Sequence, residues 1–139
     1  MLHASVAEYL GSAVSGLAYS ESDDSGNVFL DRLPSVPDRA VAVYSTPGPE
    51  ADSKLPYDPV EFSVTVRGDS DGRWVRATWA AIYSALHGLR NASLPGGTYA
   101  VYILASQSSP FPLGDDENGR PQYGCDFRAE VLNVTGERP

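Results

Sequence analysis

An α+β fold, with two helices packed on one face of a mostly antiparallel four-stranded sheet in the order α-β-β-α-β-β, is what the sequence predicts from three observations. Two segments repeat apolar residues at intervals of three and four, as helices with one buried stripe do. Four others are alternating or continuous apolar runs of strand length. No internal repeat is present, so these elements read as one layered unit around a shared core. At 139 residues, 42% of them apolar, the chain suits one core, and a single domain over residues 1–139 is expected.

In order along the chain, Leu2, Val6, Tyr9, Leu10, Ala13, Val14 and Leu17 share one side of a first helix, opposite Ser5, Glu8 and Ser12, with Gly16 near its end. Glu21 to Asn27 is small, polar and acidic, and suits a solvated loop. After Pro34 and Pro37, Ala40–Tyr44 is a short β-prone run expected to be covered on both faces. Four prolines and a glycine between Thr46 and Pro59 prevent regular structure until Val60. Val60, Phe62, Val64 and Val66 then alternate with Glu61, Ser63, Thr65 and Arg67, which predicts a strand with one buried and one wet face.

Asp69, Ser70 and Asp71 are placed to cap a following helix, accepting from its free amides. In that helix Val75, Trp79, Ile82, Leu86 and Leu89 recur at intervals of three and four, and Gly88 sits where it turns out. Pro95-Gly96-Gly97 makes a turn, and Tyr99–Ala105 is a continuous apolar strand expected at the centre of the sheet. The sixteen residues from Ser106 to Pro121 are rich in Pro, Gly, Ser and acid, a long loop of the kind usually given to function. Strand alternation resumes at Tyr123, Cys125, Phe127, Ala129 and Val131.

Eighteen acidic residues against ten basic ones give a net charge of −8, opposite in sign to a phosphate-binding surface. The absence of a long apolar run and of a basic, apolar, small-residue leader predicts a soluble intracellular protein with no membrane contact. No catalytic residue, cofactor site or metal site is expected. Cys125 lies in a predicted strand and His87 at a helix end, with nothing that joins them as nucleophile and base. Asp69-Ser70-Asp71-Gly72 starts like a calcium loop but places Ala80 where the twelfth-position Glu belongs. Gly96 and Gly97 precede a strand, whereas a phosphate cradle follows one. Trp74, Trp79 and Tyr83 at helical spacing read as core or subunit contact.

From about Leu33 to Val131 the sequence resembles the tail-terminator or minor capsid family of long-tailed bacteriophages. The likeness is carried by Pro37-Asp38-Arg39 ahead of the first strand, Leu55-Pro56-Tyr57-Asp58, Val66-Arg67-Gly68 and the helix end Tyr83 to Leu89. It is carried above all by Pro110 to Pro121, with its Gly114-Asp115-Asp116-Glu117-Asn118-Gly119-Arg120-Pro121 core leading into Tyr123–Phe127. Asp126 and the Glu21–Asn27 loop depart from the family pattern.

The resemblance implies a virion protein without enzymatic activity, closing into a ring, typically sixfold, at the head-proximal end of the tail tube. Its implied partners are further copies of itself, the tail tube protein and a head-completion or connector protein, with DNA passing through unbound. The resemblance also implies a place in the virion tail after assembly in the host cytoplasm. Together with the charge balance, this places Asp23, Asp24 and Asp115 as acids facing the bore, and Arg120, Pro121, Asp116, Glu117 and Trp74 at the assembly interface. Arg120, with a guanidinium fork, is expected to pair with a carboxylate of a neighbour or of its own loop. The alternatives are a head-closure adaptor or, from another class, a small ligand- or peptide-binding module built on the aromatic helix and the long loop.

Overall fold

The computed structural model describes residues 1–138. Along the chain it forms α1 (Leu2–Ala13), β1 (Val28–Leu30), β2 (Ala40–Thr46), β3 (Tyr57–Arg67), α2 (Arg73–Leu86), β4 (Leu89–Ser93), a 3-10 turn at Pro95–Gly97, β5 (Tyr99–Ala105), β6 (Phe111–Asp115) and β7 (Pro121–Leu132). The fold is α+β, but the expected four-stranded, mostly antiparallel sheet is corrected to a seven-stranded mixed one. Its order is β1-β2-β3-β7-β5-β4, with β6 also on β7. β1 runs parallel to β2, whereas the other pairs are antiparallel. The centre of the sheet is therefore β3 and β7, not Tyr99–Ala105.

Each of the three unexpected strands has a local cause. β1 is three residues long, too short to show a period, and its edge is covered by Tyr19, which bridges to Val28. β4 begins at Leu89, which was expected to end α2. That helix stops at Leu86 because the Gly88 amide donates to the Ile103 carbonyl at 2.8 Å and starts a strand instead. β6 lies inside the segment expected as loop, paired to the first residues of β7.

α1 ends three residues before Gly16, yet Val14 and Leu17 stay buried beyond it. There the Asn27 side chain replaces helical bonds, accepting from the Ala18 amide at 2.8 Å and donating to the Gly16 carbonyl at 2.9 Å. β3 starts earlier than Val60 because β2 pairs no further than Glu61, so Pro59 stands on an open edge where its missing N–H costs nothing. At the start of α2 the expected caps divide. Asp71 accepts from the Arg73 amide at 3.0 Å, but the capping position is Gly72 and Asp69 turns away to Arg39.

Both helices cover the same sheet face. In register across β2, β3 and β7 that face presents Val43, Val64 and Cys125, all fully buried, then Phe62 beside Phe127. The two rings stack 5.2 Å apart at 5°, and Trp79 of α2 tilts onto Phe127 at 6.2 Å. α1 adds Val6, Ala7 and Leu10 to the same cluster. On the other face Ala40 and Ala42 are buried too, so β2 is covered on both sides as expected. That second face is where the hairpin β6–β7 comes close: a Cβ on Gly124 would stand 3.0 Å from the Phe111 ring and 3.3 Å from Leu113. Phe111 and Leu113 nevertheless remain 37% and 49% exposed, apolar groups left on the surface of the hairpin.

Candidate functional site

The hairpin tip is built around one carboxylate. Asp116 and Arg120 close the turn, the Asp116 amide donating to the Arg120 carbonyl at 3.0 Å, and Gly119 supplies the left-handed residue at φ 74°. Asp116 Oδ1 accepts from the amides of Asn118 and Arg120, both at 2.9 Å, while Oδ2 accepts from Arg120 Nε at 2.7 Å. Arg120 then reaches out of the hairpin: Nη1 donates to the Ser35 carbonyl at 2.6 Å and to Asp38 Oδ1 at 3.1 Å. One side chain thus joins the tip of the hairpin to the segment ahead of β2, with only 9% of its surface exposed.

Arg67, at the end of β3, secures the same segment from below. Its Nε donates to the Asp38 carbonyl at 3.1 Å and Nη2 to the Pro37 carbonyl at 2.5 Å. Burial, and then the neighbouring Arg120 guanidinium, lower its pKa from the ordinary arginine value. The expected wet face of β3 is therefore dry at this end. The pKa of Asp116 is governed first by burial, which raises it, but the bonds from Arg120 and Asn118 outweigh that and hold it below the usual aspartate value.

A pH dependence follows from that depressed value. The Asp116 contribution is complete above the unfolded aspartate pKa of about 3.9 and is lost as pH falls through the lower folded value. Acid titration below about pH 4 is expected to expose the amides of residues 111–120 before those of β3 and β7. Hydrogen exchange across that range checks it: simultaneous loss of both sets would mean the hairpin is not held separately.

The residues singled out in the sequence fall into two groups in space. Asp115, Asp116, Glu117, Arg120 and Pro121 are together, Pro121 half-buried and facing Asp115 in the ladder, while Asp115 and Glu117 are exposed. Asp23 and Asp24 are elsewhere, exposed beside β1. Asp23 accepts from the Ser25 amide at 2.9 Å, and Asp24 is ion-paired with Arg32. Trp74 is half-buried at the start of α2, with the Arg39 guanidinium 5.8 Å from its ring and Arg39 in turn paired to Asp69 at 2.6 Å. Sequence reasoning missed Ser35 and Arg67, since a backbone carbonyl carries no residue signature and an arginine in an alternating strand reads as solvated. It did have a signal for the turn: Asn118-Gly119 is a pair that tight turns favour, though charged residues flank it.

The groups most able to do chemistry stand apart. Cys125 is fully buried and burial pushes its thiol up to about 11, which leaves it almost wholly protonated at neutral pH. His87 stacks on Tyr83 at 4.8 Å, and its Nδ1 accepts from the Ala105 amide at 3.0 Å. His3 pairs instead with Asp31 at 2.9 Å. Among the described residues no three His, Cys, Asp or Glu side chains converge as metal ligands, and no helix is long and apolar enough to cross a membrane.

A family model described as bacteriophage tail terminator protein matches residues 9–133, from within α1 to the end of β7 and including the whole hairpin. The chain belongs to the bacteriophage tail terminator family. It is accordingly a structural protein of the phage tail, in agreement with the resemblance drawn from the sequence. A chain from the virion of a native gene transfer agent particle has the same fold, with a TM-score of 0.59 and 21% identity over 94% of this chain and 93% of that one. A second solved structure matches with a TM-score of 0.55 and 14% identity over 96% of this chain and 92% of its own. At these identities the likeness is one of fold. No curated protein matches the sequence.

Proposed function

We propose that this member of the family is the subunit of a ring, formed by six copies, that caps the head-proximal end of the tail tube, stops its growth and offers a docking face to the head. The partners are neighbouring copies, the tube protein and a head-completion protein. DNA passes through the bore without specific binding. The observation that best supports this reading is the hairpin: Arg120 fixes its tip against the body, leaving Phe111 and Leu113 exposed for contact and Asp115 and Glu117 exposed as charge. A bore that DNA must slide through is better lined with acids than with cations, because phosphates are repelled rather than held. We assign Asp115 and Glu117 to that lining. Asp23 and Asp24, expected from the sequence to face the bore, run beside β1, and we assign them to a flank of the subunit instead. Pro121 and Trp74 lie at the contacts with neighbours, while Asp116 and Arg120 act by fixing the hairpin that makes them.

Particles lacking the protein are expected to carry tubes of uncontrolled length in electron micrographs. Particles built with Asp115→Asn and Glu117→Gln are expected to have tails of normal length but to release DNA more slowly. Tubes of normal length without the protein would overturn the capping role. Unchanged DNA release from the neutralised particles would overturn the acidic bore.

A further inference from the structure

α2 and the link from β5 to β6 enclose a groove lined by Val75, Arg76, Trp79, Ser109, Pro110 and Tyr123. Val75 and Trp79 are buried and make it apolar, whereas Arg76 is exposed, as is Arg73 three residues earlier on the same helix side. Neither arginine has an ion-pair partner among the described residues. Four other concavities on the surface each include acids: Glu21, Asp23 and Asp24 in one, Asp58 in another, Glu61 with Asp126 in a third, Asp116 with Glu117 in the fourth. The α2 groove has a cation and no acid, on a chain with a net charge of −8. Its complement is an acidic segment.

Such a segment lies on the opposite flank of the same chain. Tyr19 bridges to Val28, so the residues after it continue along the outer edge of β1, where Glu21, Ser22, Asp23 and Asp24 are exposed. Asp24 is held by Arg32, which leaves Glu21 and Asp23 without a cation among the described residues. β2 and β3 separate β1 from β7, the strand that contributes Tyr123 to the groove. At about 4.8 Å per strand that is about 14 Å of sheet, so the loop cannot fill the groove of its own subunit. Two different, complementary surfaces on opposite flanks are what a head-to-tail contact requires, and such contacts close rings.

We infer that the Ser20–Asp24 loop of one subunit docks in the α2 groove of the next, with Glu21 and Asp23 meeting Arg73 and Arg76. The inference rests on the ring reading and names the contact that closes it. The test uses assembled tails. With Asp23→Cys and Arg76→Cys in one chain, oxidation is expected to give a ladder of covalent oligomers on non-reducing gels, and either substitution alone none, since Cys125 is buried. Arg73→Glu with Arg76→Glu, or Glu21→Arg with Asp23→Arg, is expected to lower incorporation into tails at least about tenfold, and the four changes together to restore it. Rings visible on tails with no ladder, and with both reversals incorporated like wild type, would overturn the groove contact and leave the ring standing. Wild-type tails that end without a ring would overturn the ring reading, and this inference with it.

Discussion

Phe127→Ala is expected to lower the free energy of unfolding by about 3–5 kcal/mol, the largest effect of any single change in this core. Phe127 is fully buried on β7, the strand that pairs with β3, β5 and β6, so its ring sits where most of the sheet meets the helices. It stacks on Phe62 at 5.2 Å and receives Trp79 of α2, tilted, at 6.2 Å. Truncation removes the transfer free energy of the ring and leaves a cavity between two aromatic neighbours that cannot both collapse into it. Domains of this size typically have a total stability of about 5–15 kcal/mol, so the variant should melt roughly 10–20 °C lower and be folded only marginally at 37 °C. Phe127→Leu, which keeps most of the volume, should lose well under half as much. Thermal and urea unfolding of the two variants decide it: equal losses would mean that apolar volume restores nothing and that the stacked ring itself carries the contribution.

That column of rings was legible in the sequence, and the reason bears on what was not. Phe62 and Phe127 belong to alternating strands, and Trp79 to a helix of regular period, so each announces its buried side through its neighbours two or four positions away. The second covering layer has no such period. Arg67 occupies a position that alternation assigns to solvent, yet it is 3% exposed because the segment Ser35–Asp38 lies over it and offers it carbonyl oxygens. Backbone acceptors can come from any residue type, so this contact leaves no mark in composition or spacing. The strands at the margins were hidden for a different reason. β1 is three residues long and β4 has Asn91 in the left-handed region at φ 47°, so neither carries a run from which a period could be read. β6 was lost because Pro112 and Gly114 read as loop residues. The acidic tip was recognised as important from sequence, while its anchor at Ser35 and Asp38, more than eighty residues away, was visible only in the fold.

The anchor gives the second large expectation, which concerns order rather than global stability. Arg120→Ala removes every side-chain bond between the hairpin tip and the segment before β2, and with it one of the donors that hold Asp116. β7 keeps its ladders with β3 and β5, so the core should unfold near the wild-type temperature. β6, whose five residues are all exposed, is then retained chiefly by its pairing with β7. Amide exchange over residues 111–120 is therefore expected to speed by more than about tenfold, equivalent to about 1.4 kcal/mol of local opening, with exchange in β3 unchanged. Arg120→Lys should not restore protection. A lysine ammonium is a point charge on a flexible stem and cannot direct separate donors to Asp116, Ser35 and Asp38 as the planar fork does. If the hairpin must be ordered before neighbours can dock on Phe111 and Leu113, both variants should fold yet fail to enter tails. Entry at wild-type levels with a disordered hairpin would show that assembly itself orders the tip, and that Arg120 serves only the free subunit.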